Sequence, residues 1–230
     1  MKPADSIDST NSANSANTAV GEDELMSEPG SPSAASSRWL QALLCLAAIF
    51  ASFAAGNLWG TRSAEPPSGP VDVGFLNDMS LHHDQAVEMS NLALVHAEDP
   101  GVRGFARDIL IFQRYELGAM NAMLAERSLR RAGSDQPVMG WMGMSMSAQE
   151  MPGLASEAEM KELGELRGRE FDLQFLKLMI EHHRGGVHMA EYAAAKAEDP
   201  RVVDLASLVV RDQNAEIAEF NAYIAKLEKG

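Results

Sequence analysis

The chain repeats itself. FLNDMSLHHDQAVEM, Phe75 to Met89, returns as FLKLMIEHHRGGVHM, Phe175 to Met189, at an offset of 100 residues. From Phe75 to Ala125 against Phe175 to Ala225 the register needs no gap. Identities at Phe75, Leu76, Met79, His82, His83, Val87, Met89, Ala93 and Ala97 run into a shared Glu-Asp-Pro at 98–100 and 198–200, and further matches include Gln113, Glu116 and Asn121. Each copy must bury an apolar face, and a second copy of the same unit supplies the matching surface, so a pseudo-two-fold domain is expected.

The repeated unit reads as a helical hairpin. No alternating apolar and polar run of strand type occurs. Phe75, Met79, His82, Ala86, Met89, Ala93 and His96 alternate steps of four and three, as do Phe175, Met179, His182, Gly186, Met189, Ala193 and Lys196. That is the spacing of one buried helical face. At each Glu-Asp-Pro the Asp can cap while the Pro takes the first helical position of the next helix. The pattern predicts helices over about 71–97 and 100–131, a third from Ser156, where Ser156 and Glu159 offer a capping box, and a fourth from Pro200 to near Lys229. Two such hairpins make an all-α four-helix bundle over residues 71–230. The connection between the hairpins is long enough to travel the length of the bundle, as ferritin-like crossovers do, and an up-down return also fits.

Ahead of the bundle, WLQALLCLAAIFASFAAGNLW runs from Trp39 to Trp59 without a charge. Its length spans a bilayer as a helix, and Trp belongs at the interfacial ends. One transmembrane helix over residues 39–60 is expected, acting as a signal-anchor. The alternatives are a buried core helix and a signal peptide cleaved near Ala54 and Ala55, against which stands the long leader before the apolar run. Residues 1–38, rich in Ser, Asn and acidic side chains, read as a disordered tail, and residues 61–70, with SAEPPSGP, as a stiff linker. Flanking Lys2 and Arg38 on one side and Arg62 on the other do not set an orientation. A net charge of -14 argues against nucleic acid as a partner. The lone Cys45 excludes an intrachain disulfide and a Cys-based zinc site.

The chemistry lies on the seam. Met79, His82 and Met89 stack thioether, imidazole and thioether on one helical face, with His83 on its flank; Met179, His182, His183 and Met189 repeat the set, and His188 adds a donor where the first copy has Glu88. Thioether and imidazole suit Cu(I), and by the same softness Ag(I), far better than Mg or Ca. Protonation of the imidazoles would release metal below about pH 6.5. Between the hairpins PVMGWMGMSMSAQEMPGL places Met139, Met142, Met144, Met146 and Met151 in a stretch whose Gly and Pro deny it a regular helix. It is either a hydrophobic cover anchored by Trp141 or a soft-metal capture arm. A Met stripe with seam histidines also serves as plain core packing.

The doubled M-x2-HH-x5-M run at Met79, His82, His83, Met89 and at Met179, His182, His183, Met189, with Gly140, Trp141, Met142 and the two helix breaks, resembles the bacterial domain-of-unknown-function family 305 over about residues 71–229. The resemblance implies a ferritin-like four-helix bundle, exported or membrane-anchored, with some members associated with copper or silver binding and tolerance. Asp84 and Gln85 depart from Arg184 and Gly185 of the second copy. The expected function is then soft-metal sequestration, transfer or tolerance by a single-pass protein of the cytoplasmic membrane with its C-terminal domain outside, or secreted after cleavage. A metal-transfer partner protein is implied, and a homo-oligomer stays open. Two other classes compete: a tethered helical interaction domain, and a metal-dependent redox enzyme of the ferritin-like carboxylate type. The second expects Glu-x-x-His, and no His of either repeat has Glu three positions before it. Nucleophile motifs and phosphate loops are also missing, so a non-enzyme is expected.

Overall fold

The computed structural model describes residues 34–63 and 66–229, which fall in two compact units. In the first unit α1 (Ala34–Ser63) contains Arg38–Gly60, 23 residues of mean hydropathy 1.8, long and apolar enough to cross a membrane. Its large side chains from Trp39 to Trp59 are exposed. The helix starts inside the stretch expected as a tail and runs into the expected linker. The rest of that tail, residues 1–33, and positions 64–65 lie outside the described residues.

The second unit is all-α, with α2 (Pro70–His96), α3 (Pro100–Glu126), α4 (Glu157–Glu165), α5 (Gly168–Lys196) and α6 (Pro200–Leu227). Both Glu-Asp-Pro breaks form as the capping chemistry dictates. The Asp99 carboxylate accepts from the Gly101 and Val102 N–H groups and Asp199 from the Arg201 N–H, with Pro100 and Pro200 opening the next helix. Two expected boundaries are corrected. The helix from Ser156 has its capping box but ends at Glu165; the chain then extends through Leu166 and Arg167, and α5 begins at Gly168 with φ +63°, a conformation Gly adopts without strain. The second helix stops at Glu126 rather than near 131, where Ser128 turns left-handed and the Leu129 N–H closes on the Leu124 carbonyl.

Two buried carboxylates set how the hairpins dock. Asp72, in the first turn of α2, accepts from the N–H groups of Glu198 and Asp199 at 3.1 and 2.8 Å. Asp172, near the start of α5, accepts from those of Glu98 and Asp99 at 3.1 and 2.9 Å. Each joins the start of one inner helix to the end of the other, so α2 and α5 run antiparallel. The outer helices α3 and α6 are antiparallel too: Phe105 meets Phe220 and Tyr223 edge-on, and the buried Arg127 pairs with Asp199 at 2.5 Å. It follows that α3 and α5 point the same way, and the connection between them must travel the length of the bundle. The core divides at mid-height. Phe75, Met79, Met189 and Ala193 belong to one cluster, and Met89, Ala93, Phe175 and Met179 to the other.

The crossing segment is held down. Asp78 accepts from the Met139 N–H and from the Trp141 indole N–H, both at 2.7 Å, while the indole meets Phe75 and Tyr192 edge-on. Met139 and Met151 are buried, Met142 and Met146 pack partly against the first core cluster, and Met144 is exposed.

Replacing Asp72 by Ala strands two buried N–H groups and should lower the unfolding free energy by about 2–3 kcal/mol, read from urea denaturation. Acid gives a second measurement. Burial pushes the Asp199 carboxyl up, but the side chain and N–H of Arg201 and the side chain of Arg127 outweigh it and hold the pKa at about 2, against 3.8 for the free group. A depressed acid contributes stability that is complete above pH 3.8 and is lost as pH falls toward 2. The loss should amount to at most about 2 kcal/mol and should vanish from the pH profile of Asp199→Asn.

Candidate metal centre

The antiparallel docking of α2 on α5 brings the first histidine of each pair together in the middle of the bundle. His82 and His182 are fully buried, with ring centroids 3.7 Å apart and planes tilted by 37°. The His182 Nε2–H donates to the His82 carbonyl at 2.9 Å, which leaves its Nδ1 as the lone-pair nitrogen. His83 and His183 face outward from the seam, each toward a glutamate of the neighbouring outer helix. Their Nε2 atoms lie 2.8 Å from Glu116 Oε2 and 2.6 Å from Glu216 Oε2. A carboxylate only accepts, so the Nε2 carries the proton and the Nδ1 of the neutral ring keeps its lone pair. Among the described residues His82 Nδ1 and Nε2 and the Nδ1 atoms of His83, His182 and His183 are buried without a hydrogen-bond partner.

Burial holds the pKa values of His82 and His182 well below the ordinary 6.5, and the positive charge that neighbouring imidazoles would add lowers them further. For His82 the nearby Pro152 backbone, which falls outside hydrogen-bond geometry, works in the opposite direction. Both rings are therefore neutral at neutral pH, the form that ligates metals.

Thioethers flank the pair on both sides. Met79 and Met189 lie toward one end with Met120, Met139 and Met151, and Met89 and Met179 toward the other. All of them are essentially inaccessible to solvent. Of the ligands expected from sequence, Met79, His82, His83, Met89, Met179, His182, His183 and Met189 are thus buried on the two inner helices. His188 is not among them: one position off the seam, it is exposed beside a surface cavity shared with Glu159 and Glu181. Glu116, Glu216 and Met120 were not anticipated as parts of the site. The signal for the glutamates was present, since each follows the second histidine of its copy by 33 residues.

The crossing segment covers the pair. Pro152 and Gly153 pass directly over α5 at Gly185, where a Cβ would collide with the Pro152 carbonyl. Gly153 has φ +88°, and a Cβ on it would lie 2.8 Å from the His182 carbonyl oxygen. From the other side Gln85 clasps the same segment, donating to the Ala155 carbonyl at 2.8 Å and accepting from its N–H at 2.7 Å. Gln85 and Gly185 therefore differ between the copies because one covering segment touches both inner helices.

Among the described residues no group of three or more His, Cys, Asp or Glu side chains is arranged to hold a metal ion. The donors buried along the seam are uncharged: imidazole lone pairs and thioether sulfurs. Such a set fits a soft monovalent ion and offers little to a hard divalent one. The two glutamate–histidine pairs have the form of the outer-shell contacts that orient ligating imidazoles.

The family model for the domain of unknown function DUF305 matches residues 72–224. A crystal structure of a DUF305 protein from Streptomyces coelicolor is 41% identical and superposes with a TM-score of 0.64, covering 69% of this chain and 94% of that one. CopM in its Cu(I)-bound form is 26% identical with a TM-score of 0.51, covering 67% of this chain and 96% of CopM. An uncharacterised protein, L153, of Acanthamoeba polyphaga mimivirus is 39% identical over 59 residues, 26% of this chain, and the match spans only 39% of that curated relative's length. The doubled histidine pairs thus sit in a helical domain whose match runs from the clamp at Asp72 almost to the end of α6, and the chain belongs to the DUF305 family.

Proposed function

We propose that this domain binds Cu(I), and by the same softness Ag(I), as cargo on the seam between α2 and α5. The observation that carries the reading is the set of buried, unpartnered imidazole nitrogens between two groups of buried thioethers. The Cu(I)-bound form of CopM supports it, as a protein of similar fold that takes the same ion. Sequestration or hand-over to a transfer partner, without chemistry on a further substrate, is the role that fits. Helix α1 would tether the domain to the cytoplasmic membrane with the bundle outside, where copper arrives and thioethers cannot be lost to disulfide exchange.

In this reading His82, His182 and the methionines ligate. Glu116 and Glu216 hold His83 and His183 with Nδ1 turned to the interior. The crossing segment excludes water through Met139 and Met151, and the more accessible Met142, Met144 and Met146 make first contact with the ion. Because burial keeps His82 and His182 neutral to lower pH than a free imidazole, acid release belongs below pH 6.5 rather than at it.

The test is anaerobic Cu(I) competition against a chelator, using the full chain in detergent. Met→Leu conserves core volume and should cost less than about 1.5 kcal/mol of stability, so folded variants are expected. Met79→Leu with Met189→Leu should weaken binding on the order of tenfold or more, and Glu116→Gln with Glu216→Gln by a similar factor through loss of imidazole orientation. Wild-type affinity in both variants would remove the seam as the site. Absence of Cu(I) binding by the wild type would leave a tethered helical interaction domain whose histidines only pack.

A further inference from the structure

The crossing segment, residues 128–155, is fastened along one edge only. On the α2 side four side chains hold it. Asp84 pairs with Arg131, Asn77 accepts from the Ala132 N–H, Asp78 accepts from Met139 and Trp141, and Gln85 clasps Ala155 through two hydrogen bonds. Asn77 lies seven positions before Asp84, and Asp78 seven before Gln85, so the four make a single stripe along the helix. The equivalent positions of α5 are Lys177, Leu178, Arg184 and Gly185. Among the described residues no hydrogen bond ties the segment to α5. Contact there is by packing alone: Trp141 meets Tyr192 edge-on, and Pro152 and Gly153 rest on the helical turn at residues 181–185.

That unbonded seat lies over the imidazole pair. His82 and His182 have no exposed surface, so an ion reaches them only when something moves. The Pro152 backbone is near His82, and Gly153 is against the carbonyl of His182. Beside the seat lies a cavity of about 410 Å³, with Pro152, Gly153 and Leu154 on one wall and Leu178, Gly185 and the exposed His188 on the other. Gly185 is itself a concession to the seat. Alanine would favour the helix by about 1 kcal/mol, but its Cβ would stand 2.0 Å from the Pro152 carbonyl oxygen. Opening the α2 edge breaks hydrogen bonds from buried and half-buried groups, whereas opening the α5 edge breaks none.

We propose that the ion enters and leaves the seam at the α5 edge, through this cavity, as residues 152–154 swing away from Gly185 while Ala155 stays on Gln85. The identity of the cargo rests on the copper reading. The swing belongs to the metal-free chain and is measured there.

The full chain in detergent, free of metal, is treated with diethyl pyrocarbonate, which modifies neutral imidazoles. Adducts on His82 and His182 are counted by mass spectrometry against exposed His188, and exchange of the Ala155 N–H is followed under the same conditions. Openings that admit the reagent should be on the order of tenfold more frequent than those that release the Ala155 N–H. Gly185→Ala, which pushes on the Pro152 carbonyl, should raise modification of both imidazoles about tenfold and leave Ala155 exchange as it was. With Cu(I) the same variant should speed uptake and release together and keep the affinity within about threefold, unlike loss of a ligand, which changes affinity. The wild-type comparison of the two opening frequencies decides the matter if the variant does not fold. Equal frequencies, or imidazole reactivity that rises in Gln85→Leu but not in Gly185→Ala, would overturn the α5 route alone. A wild-type chain that binds no Cu(I) would overturn the copper reading and the route with it.

Discussion

Everything at the centre of this bundle depends on two buried aspartates near its ends. Asp72 and Asp172 each accept backbone N–H groups from the corner of the other hairpin. A carboxylate in that position needs donors, and a corner ahead of a proline has N–H groups outside any helix ladder, so each satisfies the other. Because the exchange is reciprocal, the inner helices can dock only antiparallel and in one register. That register sets His82 against His182 and distributes the methionines in pairs on either side. Moving the clamp by one helical position would turn the imidazoles off the seam.

The symmetry that the clamps impose is broken by a single chain segment. One crossover has to pass a bundle with two equivalent faces, so it lies on one of them. Its Met139 and Met151 join Met79 and Met189 toward one end, whereas Met89 and Met179 toward the other pack with Phe171, Phe175 and Phe220. The thioether environment is therefore lopsided around a nearly symmetric imidazole pair. The substitutions that distinguish the copies follow from this. Gly185 admits the segment's backbone, Gln85 binds it, and neither requirement exists at the equivalent position of the other copy.

Much of this was legible in the residue order because the repeat constrains it twice over. Seam positions, both Asp-Pro corners and the capping box at Ser156 are local patterns, each with its own stereochemistry, and the structure places them as read. The misreadings have physical causes as well. The break before α5 rests on a left-handed glycine in an otherwise helical stretch, and a lone glycine is also tolerated inside a helix, at a cost of only about 1 kcal/mol. Glu116 and Glu216 sit on the outer helices, so their pairing with His83 and His183 is a tertiary fact that helical spacing cannot express. His188 lies one step off the seam and is exposed there, although its neighbour Met189 is buried. Whether the methionine-rich segment would lie flat or stand free turned on Asp78, a core carboxylate whose donors are 61 and 63 residues away.

The clamps also bear on the order in which the molecule comes into being. Asp72 and the N–H it holds at Glu198 are separated by 126 residues, while the turns within each hairpin close over a handful. Local hairpins can form early and long-range closure must follow, since the chain entropy of bringing distant segments together is recovered only when they meet. The imidazole pair is therefore among the last features to assemble. A half-made chain owns two ordinary hairpins and no buried imidazole pair, so on the proposed copper reading only a molecule that has finished folding could hold the ion.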